Sequence, residues 1–153
     1  MGKFDVKEYR FAAEARLEVV TWEERRKKMQ EVCKACHSDS VINGHYNQFD
    51  NVVELYNEKF AKPIAAVMGE LKNAGYISKS PFDEQIEWTW WEIWHHEGRR
   101  ARMGAAMMAP DYAWWHGFYE CKARFNTFME EADHLLKSEG KAYIYPNYPN
   151  ATG

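Results

Sequence analysis

The sequence predicts an all-α fold: long helices in an extended bundle, followed by an irregular C-terminal tail. Three observations carry that expectation. Apolar residues recur at helical spacing through most of the chain. Capping signals precede the apolar runs, and Pro or Gly closes them. No segment shows the strict alternation of a half-buried strand. A length of 153 residues allows one domain with a core of useful size. The net charge of −3 argues against a nucleic-acid binder driven by phosphate contacts. No run approaches the roughly 18 apolar residues of a spanning helix, so no membrane span is expected.

The elements follow in order. Residues 1–20 read as a helical lead-in, with Phe11, Ala12, Ala15 and Val19 at helical spacing. Thr21-Trp22-Glu23-Glu24 is a capping-box pattern. The helix it opens places Met29, Val32, Cys33 and Cys36 on one apolar face, at i, i+3, i+4 and i+7. Ser38 to Asn43 reads as a polar segment ending at Gly44, after which Phe49, Val52, Val53, Tyr56 and Phe60 resume the helical period. Pro63 is expected to kink or divide that helix. Ile64, Val67, Met68 and Leu71 continue the stripe, and Gly75 suits a C-cap. Ser80-Pro81 predicts an N-cap with Pro at the first helical position. Asp83 and Glu84 then fall in a first turn, where the helix dipole favours negative charge. A long helix is expected from Pro81 to about Met108, with an interruption at Ala109-Pro110-Asp111. A last helix runs from Asp111 to about Ser138, stopped by Gly140. The plan is therefore a lead-in over 1–20, a helical domain over 21–140 and an extended tail over 141–153.

The chemistry starts at Cys33-Lys34-Ala35-Cys36-His37. C-x-x-C-H is the attachment pattern of a c-type haem. The two thiols form thioethers to the porphyrin edge, and the following histidine ligates the iron. Two rival readings are a redox dithiol and half of a zinc site. A zinc site wants a second ligand pair, and the one other cysteine, Cys121, stands alone and reads as a buried free thiol. A dithiol of the thioredoxin kind sits near a βαβ pattern, which is not found. The haem would attach near the C-terminal end of a helix, on its apolar side. Aromatic residues make up 16 % of the chain, with seven Trp and nine Tyr. Such rings need something large and flat or apolar to pack against, which a haem or a subunit interface supplies.

Trp88 to Tyr119 is dense in functional side chains. His95 and His96 are adjacent, so on a helix they point about 100° apart, and at most one of them serves a given iron. Each reads either as a structural histidine or as an axial ligand. Arg99, Arg100 and Arg102 read either as a solvated face, paired with Glu92 or Glu97, or as holders of haem propionates, a carboxylate match that guanidinium makes bidentately. Met103, Met107 and Met108 could ligate iron but read better as core filling. His116 lies one turn after Tyr112, which follows the Pro break. His45 and His134 read as structural or exposed.

The motif Cys33-Lys34-Ala35-Cys36-His37 follows a W-E-E-R-R helix. With the segment W-H-H-E-G-R-R-A-R and then M-M-A-P-D-Y-A-W-W-H-G-F-Y-E, it resembles the C-terminal part of hydroxylamine oxidoreductase. That family comprises octahaem cytochromes c of ammonia oxidisers and anammox bacteria. The resemblance extends from about Arg16 to Leu136. It implies that Cys33, Cys36 and His37 carry the last attachment motif of a subunit, with long helices building a homotrimer. It further implies several other c-type haems, among them a P-460-type catalytic haem cross-linked to a tyrosine of the adjacent subunit. Tyr112 is the best positional match for that tyrosine, and Tyr119 the next. The other attachment motifs of the family are absent from this sequence, as is a signal peptide. The chain is therefore expected to work with an N-terminal multihaem portion.

The expected function is the electron-transfer and trimer-forming C-terminal module of an enzyme that oxidises hydroxylamine or a related small nitrogen compound. In that reading the haem on Cys33 and Cys36 relays electrons toward an acceptor cytochrome. His37 is one axial ligand, and the second comes from His95, His96, His116 or outside the chain. The expected compartment is the periplasm or an anammoxosome-like space. The alternatives are a stand-alone monohaem helical cytochrome, a reductase of the same family acting on nitrite, and a helical interaction domain whose C-x-x-C-H is accidental.

Overall fold

A computed structural model describes residues 21–139. The lead-in over 1–20, the stop at Gly140 and the tail over 141–153 lie outside the described residues. The chain divides into two compact units, at Gly44 and His45. Among the described residues every regular element is helical, so the all-α expectation holds, and no helix is long and apolar enough to cross a membrane.

The first helix, α1, spans Trp22–Cys33. Thr21 caps it in extended backbone, its hydroxyl accepting from Glu24 N at 3.2 Å while the Glu24 carboxylate accepts from Thr21 N at 2.9 Å. That is the capping box read from the sequence. No residue of α1 is buried, and on its apolar face Met29 is 56 % and Val32 70 % exposed.

The next helix corrects the sequence reading. α2 spans Asp39–Tyr56 and runs straight through the polar segment and Gly44. Ser38 starts it, its carbonyl accepting from Val41 and Ile42 N–H. The polar residues there are solvent-facing helix positions, with Ile42 the one buried among 38–44. Pro63 divides the helical path, as expected: α2 gives way to a π-helical turn, Asn57–Ala61, and α3, Lys62–Asn73, starts with Pro63 in its first turn. Gly75 closes α3 as expected. Its φ of +77° permits a double closure, with Tyr76 N on Leu71 O at 3.0 Å and Gly75 N on Lys72 O at 3.1 Å.

The long helix expected from Pro81 begins at Gln85 instead. Phe82 sits at φ +64°, and Glu84, in extended backbone, occupies the N-cap position. Ser78 draws the chain into a loop here: its N–H donates to Glu84 and its hydroxyl to Asp83. Asp83 and Glu84 therefore precede the first turn rather than lie in it. From Gln85 the helical path continues as α4, Gln85–Trp91, a π-helical turn Glu92–Glu97, and α5, Gly98–Ala106. Met108, at φ +54°, closes α5 as glycine closed α3, with Ala109 N on Gly104 O at 2.8 Å. After Pro110 a π-helical stretch, Asp111–Phe118, leads into α6, Tyr119–Lys137. The interruption and the last helix thus stand where the sequence put them.

The core of the second unit gathers one stripe from each helix. Val52, Tyr56, Phe60, Ile64, Met68 and Leu71 pack with Ile86, Ile93, Phe118, Phe128 and Leu135 in one cluster. Phe60 stacks edge-on to Phe125 at 5.6 Å between ring centroids. At Gly104 and Gly117 the backbones of α5 and the 111–118 stretch approach so closely that a Cβ has no room. On Gly104 it would stand 2.5 Å from Ala113 N, and on Gly117 2.6 Å from Ala101 Cα. This crossing fixes Tyr112 against α5.

Candidate functional site

The attachment motif occupies the turn that ends α1. The Cys33 carbonyl accepts from Cys36 N–H at 3.2 Å and from His37 N–H at 3.0 Å, so the five residues continue the helical winding. Residues three apart on such a turn share a face. Cys33 is half-buried, Cys36 exposed, and both thiols are free. His37 is exposed and immediately follows them. The residues present fit a covalently held porphyrin: two accessible thiols, an imidazole, and the uncovered Met29 and Val32 on the same helix. Among the described residues no cluster of three His, Cys, Asp or Glu side chains includes these thiols, as a zinc site would require.

In the second unit His95, His96, Arg99 and Tyr112 are brought together. They line one open cavity of about 670 Å³ with Trp91, Met103 and Met107, inside the roughly 300–1,000 Å³ range of ligand pockets. The His95 ring lies flat on Trp91, 4.4 Å between centroids. His96 Nδ1 stands 2.8 Å from Glu97 Oε1. Glu97 is buried and also accepts from Arg100 at 3.5 Å. The carboxylate holds the His96 ring through Nδ1, which leaves Nε2 as the nitrogen available to a ligand.

The arginines divide. Arg100 pairs with Glu97, the ion-pair role read as one option, whereas Arg102 lies over the buried Tyr56 ring at 4.1 Å. Glu92 pairs with Arg124 instead, at 3.0 Å. Arg99 is exposed, lines the cavity and forms no ion pair among the described residues. Tyr112 is 55 % exposed, and its ring stands 5.3 Å from that of His116. His116 is not part of the cavity lining; its Nε2 lies 3.3 Å from Asp111 Oδ2.

One expectation is overturned. Met103, Met107 and Met108 do not fill the core: all three are exposed, and Met103 and Met107 line the cavity. The reason is helical phase. Ala101 and Gly104 take the buried side of α5, because that side meets backbone and admits only small residues. Cys121 is a buried thiol, as read, with Sγ 3.9 Å from Ile93 O. Burial, with the Glu97 charge adding to it, pushes its pKa up to about 12. His45 packs edge-on to Tyr46 at 5.1 Å and is half-buried, as is His134.

A feature the sequence reading missed lies at the start of α4. Asp83, Glu84 and Glu87 bring one carboxylate oxygen each within 4.8 Å of the others. The neighbouring Glu84 carboxyl, then the Ser78 hydroxyl, holds Asp83 below its ordinary pKa. Burial, then the neighbouring Asp83 carboxyl, raises Glu84. The D-E-x-x-E spacing was the available signal.

Comparison of the chain with family models, with curated proteins and with solved structures gives no match.

Proposed function

We propose that the chain is a haem-bearing electron-transfer module, of the kind found at the C-terminus of hydroxylamine-oxidising multihaem cytochromes c. The observation that carries the reading is the turn at Cys33: two reachable thiols one helical turn apart, an imidazole next in line, and the exposed Met29 and Val32 on the same helix. Cys33 and Cys36 would hold the porphyrin edge and His37 the iron. Once bound, the haem supplies a one-electron couple whose potential follows from axial ligand, burial and nearby charge. In the second unit, His96 Nε2 or the His95 ring offers an axial nitrogen, Arg99 a partner for a propionate, and Tyr112 an exposed phenol. In the complete multihaem enzyme we assign Tyr112 the catalytic position, acting on a haem supplied from outside this chain. The N-terminal multihaem portion, the homotrimer, the acceptor cytochrome, the nitrogen substrate and the periplasmic or anammoxosome-like compartment belong to the same proposal.

Intact mass spectrometry after expression in a haem-maturing periplasm tests it. The expected result is the polypeptide mass plus one haem, with a visible c-type spectrum. The bare mass, or a zinc adduct, would sink the reading. The single attachment motif in 153 residues favours one second reading, a stand-alone monohaem cytochrome. Adding an N-terminal multihaem partner separates the two. Complex formation and substrate oxidation support the module, whereas electron transfer without either supports the stand-alone carrier.

A further inference from the structure

Glu87 is 8 % exposed, yet its Oε2 has no hydrogen-bond partner. The buried Oε2 of Glu84 lacks one as well. Both carboxylates, with that of Asp83, converge within 4.8 Å. Their other oxygens are partly used: Glu84 Oε1 accepts from Ser78 N–H at 2.7 Å, and both Asp83 oxygens accept from the Ser78 hydroxyl. Among the described residues no Lys, Arg or His forms an ion pair with any of the three. Three carboxylates this close do not all stay ionised without a compensating charge, and an unpaired buried carboxylate is costly.

A shared proton would serve one pair of oxygens and leave another bare. A hard cation takes several oxygens at once. The donor set is oxygen only, which selects Ca²⁺, Mg²⁺ or Mn²⁺ over softer metals. Three oxygens no more than 4.8 Å apart lie within reach of one such ion. Ca²⁺ accepts irregular carboxylate geometry, whereas Mg²⁺ demands a near-ideal octahedron and sheds its waters reluctantly, which favours the larger ion. The exposed Asp83 side leaves room for the waters that complete its shell.

We infer that Asp83, Glu84 and Glu87 form a binding site for a Ca²⁺-class cation, which ties the loop 78–84 to the start of α4. The inference does not depend on the haem reading, and its readouts do not require haem.

Isothermal titration of the chelator-treated full chain with CaCl₂, at constant ionic strength, tests it. One Ca²⁺ per chain is expected, with Kd on the order of 10⁻⁴ M or tighter, and a Tm that rises with Ca²⁺ more than with equal Mg²⁺. Glu87→Gln keeps the shape and removes one charge. It should weaken binding by about tenfold or more, as should the exposed Asp83→Asn, which serves if Glu87→Gln does not fold. No titration heat and no Tm response in the unmutated chain would overturn the inference, leaving a shared proton to settle the cluster. So would Ca²⁺ binding that both variants retain undiminished.

Discussion

Single side chains carry the sharpest tests. Cys33→Ser or Cys36→Ser should leave a chain with at most one thioether and a haem yield well below the unmutated protein, read by mass and by spectrum. Cys121 behaves differently. It is fully buried, so in the unloaded protein a maleimide should label the pair at 33 and 36 and spare Cys121 until the fold opens. Its raised pKa also has a signed consequence. The folded thiol stays neutral up to about 12, whereas the unfolded thiol ionises near 9.0. Cys121 therefore stabilises fully below pH 9, and its contribution falls by about 1.4 kcal/mol per pH unit above that. Denaturant titrations of the native chain and Cys121→Ala should show it. At neutral pH the variant is less stable by about 1–2 kcal/mol, and the gap narrows above pH 9.

Much at this scale was legible in the sequence and some was not. The motif C-x-x-C-H and the buried Cys121 follow from residue type and helical spacing, and His95, His96, Arg99 and Tyr112 were each read as candidates. Their meeting in one cavity was not legible, because it rests on the crossing that sets Tyr112 against α5. Nor was the exposure of Met103 and Met107, because it depends on which side of α5 meets backbone, a fact set by Gly104 and Ala113 far apart in sequence. Glu87 was hidden for a similar reason: on a helical wheel it is one more surface acid, and its burial comes from tertiary packing.

The helices are punctuated by devices of two kinds. Caps were readable: Thr21 with Glu24, Gly75, and the stop before Pro110 all obey local chemistry. The π-helical turns at Asn57–Ala61, Glu92–Glu97 and Asp111–Phe118 were not. A wide turn has no compositional signature and arises where side-chain packing asks for one extra residue. The second of them holds His95, His96 and Glu97, and the third holds Tyr112 and His116, so each carries candidate site residues. The crossing of α5 with the 111–118 stretch gives the test at this scale. Gly104→Ala pushes a methyl into Ala113 N and the Tyr112 backbone. It should cost about 1–3 kcal/mol, seen as a lower Tm, and should displace Tyr112 from the cavity wall. Met108→Gly works the other way. It relieves left-handed backbone at a closure that glycine suits, and should raise stability by up to about 1 kcal/mol in thermal melts.

At the scale of the whole molecule the surface is unusually aromatic. Trp22, Trp88, Trp94, Trp114, Trp115, Tyr112 and Tyr119 are all exposed. The all-α class and the absence of a spanning helix among the described residues were readable from periodicity alone. The exposure of the rings was not, since it depends on which side of each helix the core takes. Under the proposed trimer, sedimentation of the haem-loaded chain with its N-terminal portion should give about three times the mass of one complex. A mass of one complex removes the trimer.

The bare flank of α1 has a last implication, for biogenesis. Twelve residues with none buried make a helix that is marginal when left to itself. In the unloaded chain this stretch should open readily, exchanging its amide hydrogens fast and inviting proteases at Arg25-Arg26-Lys27-Lys28. If the proposed porphyrin is attached, whatever installs it would meet a pliable strap and not a rigid rod, and sealing the thioethers would harden it.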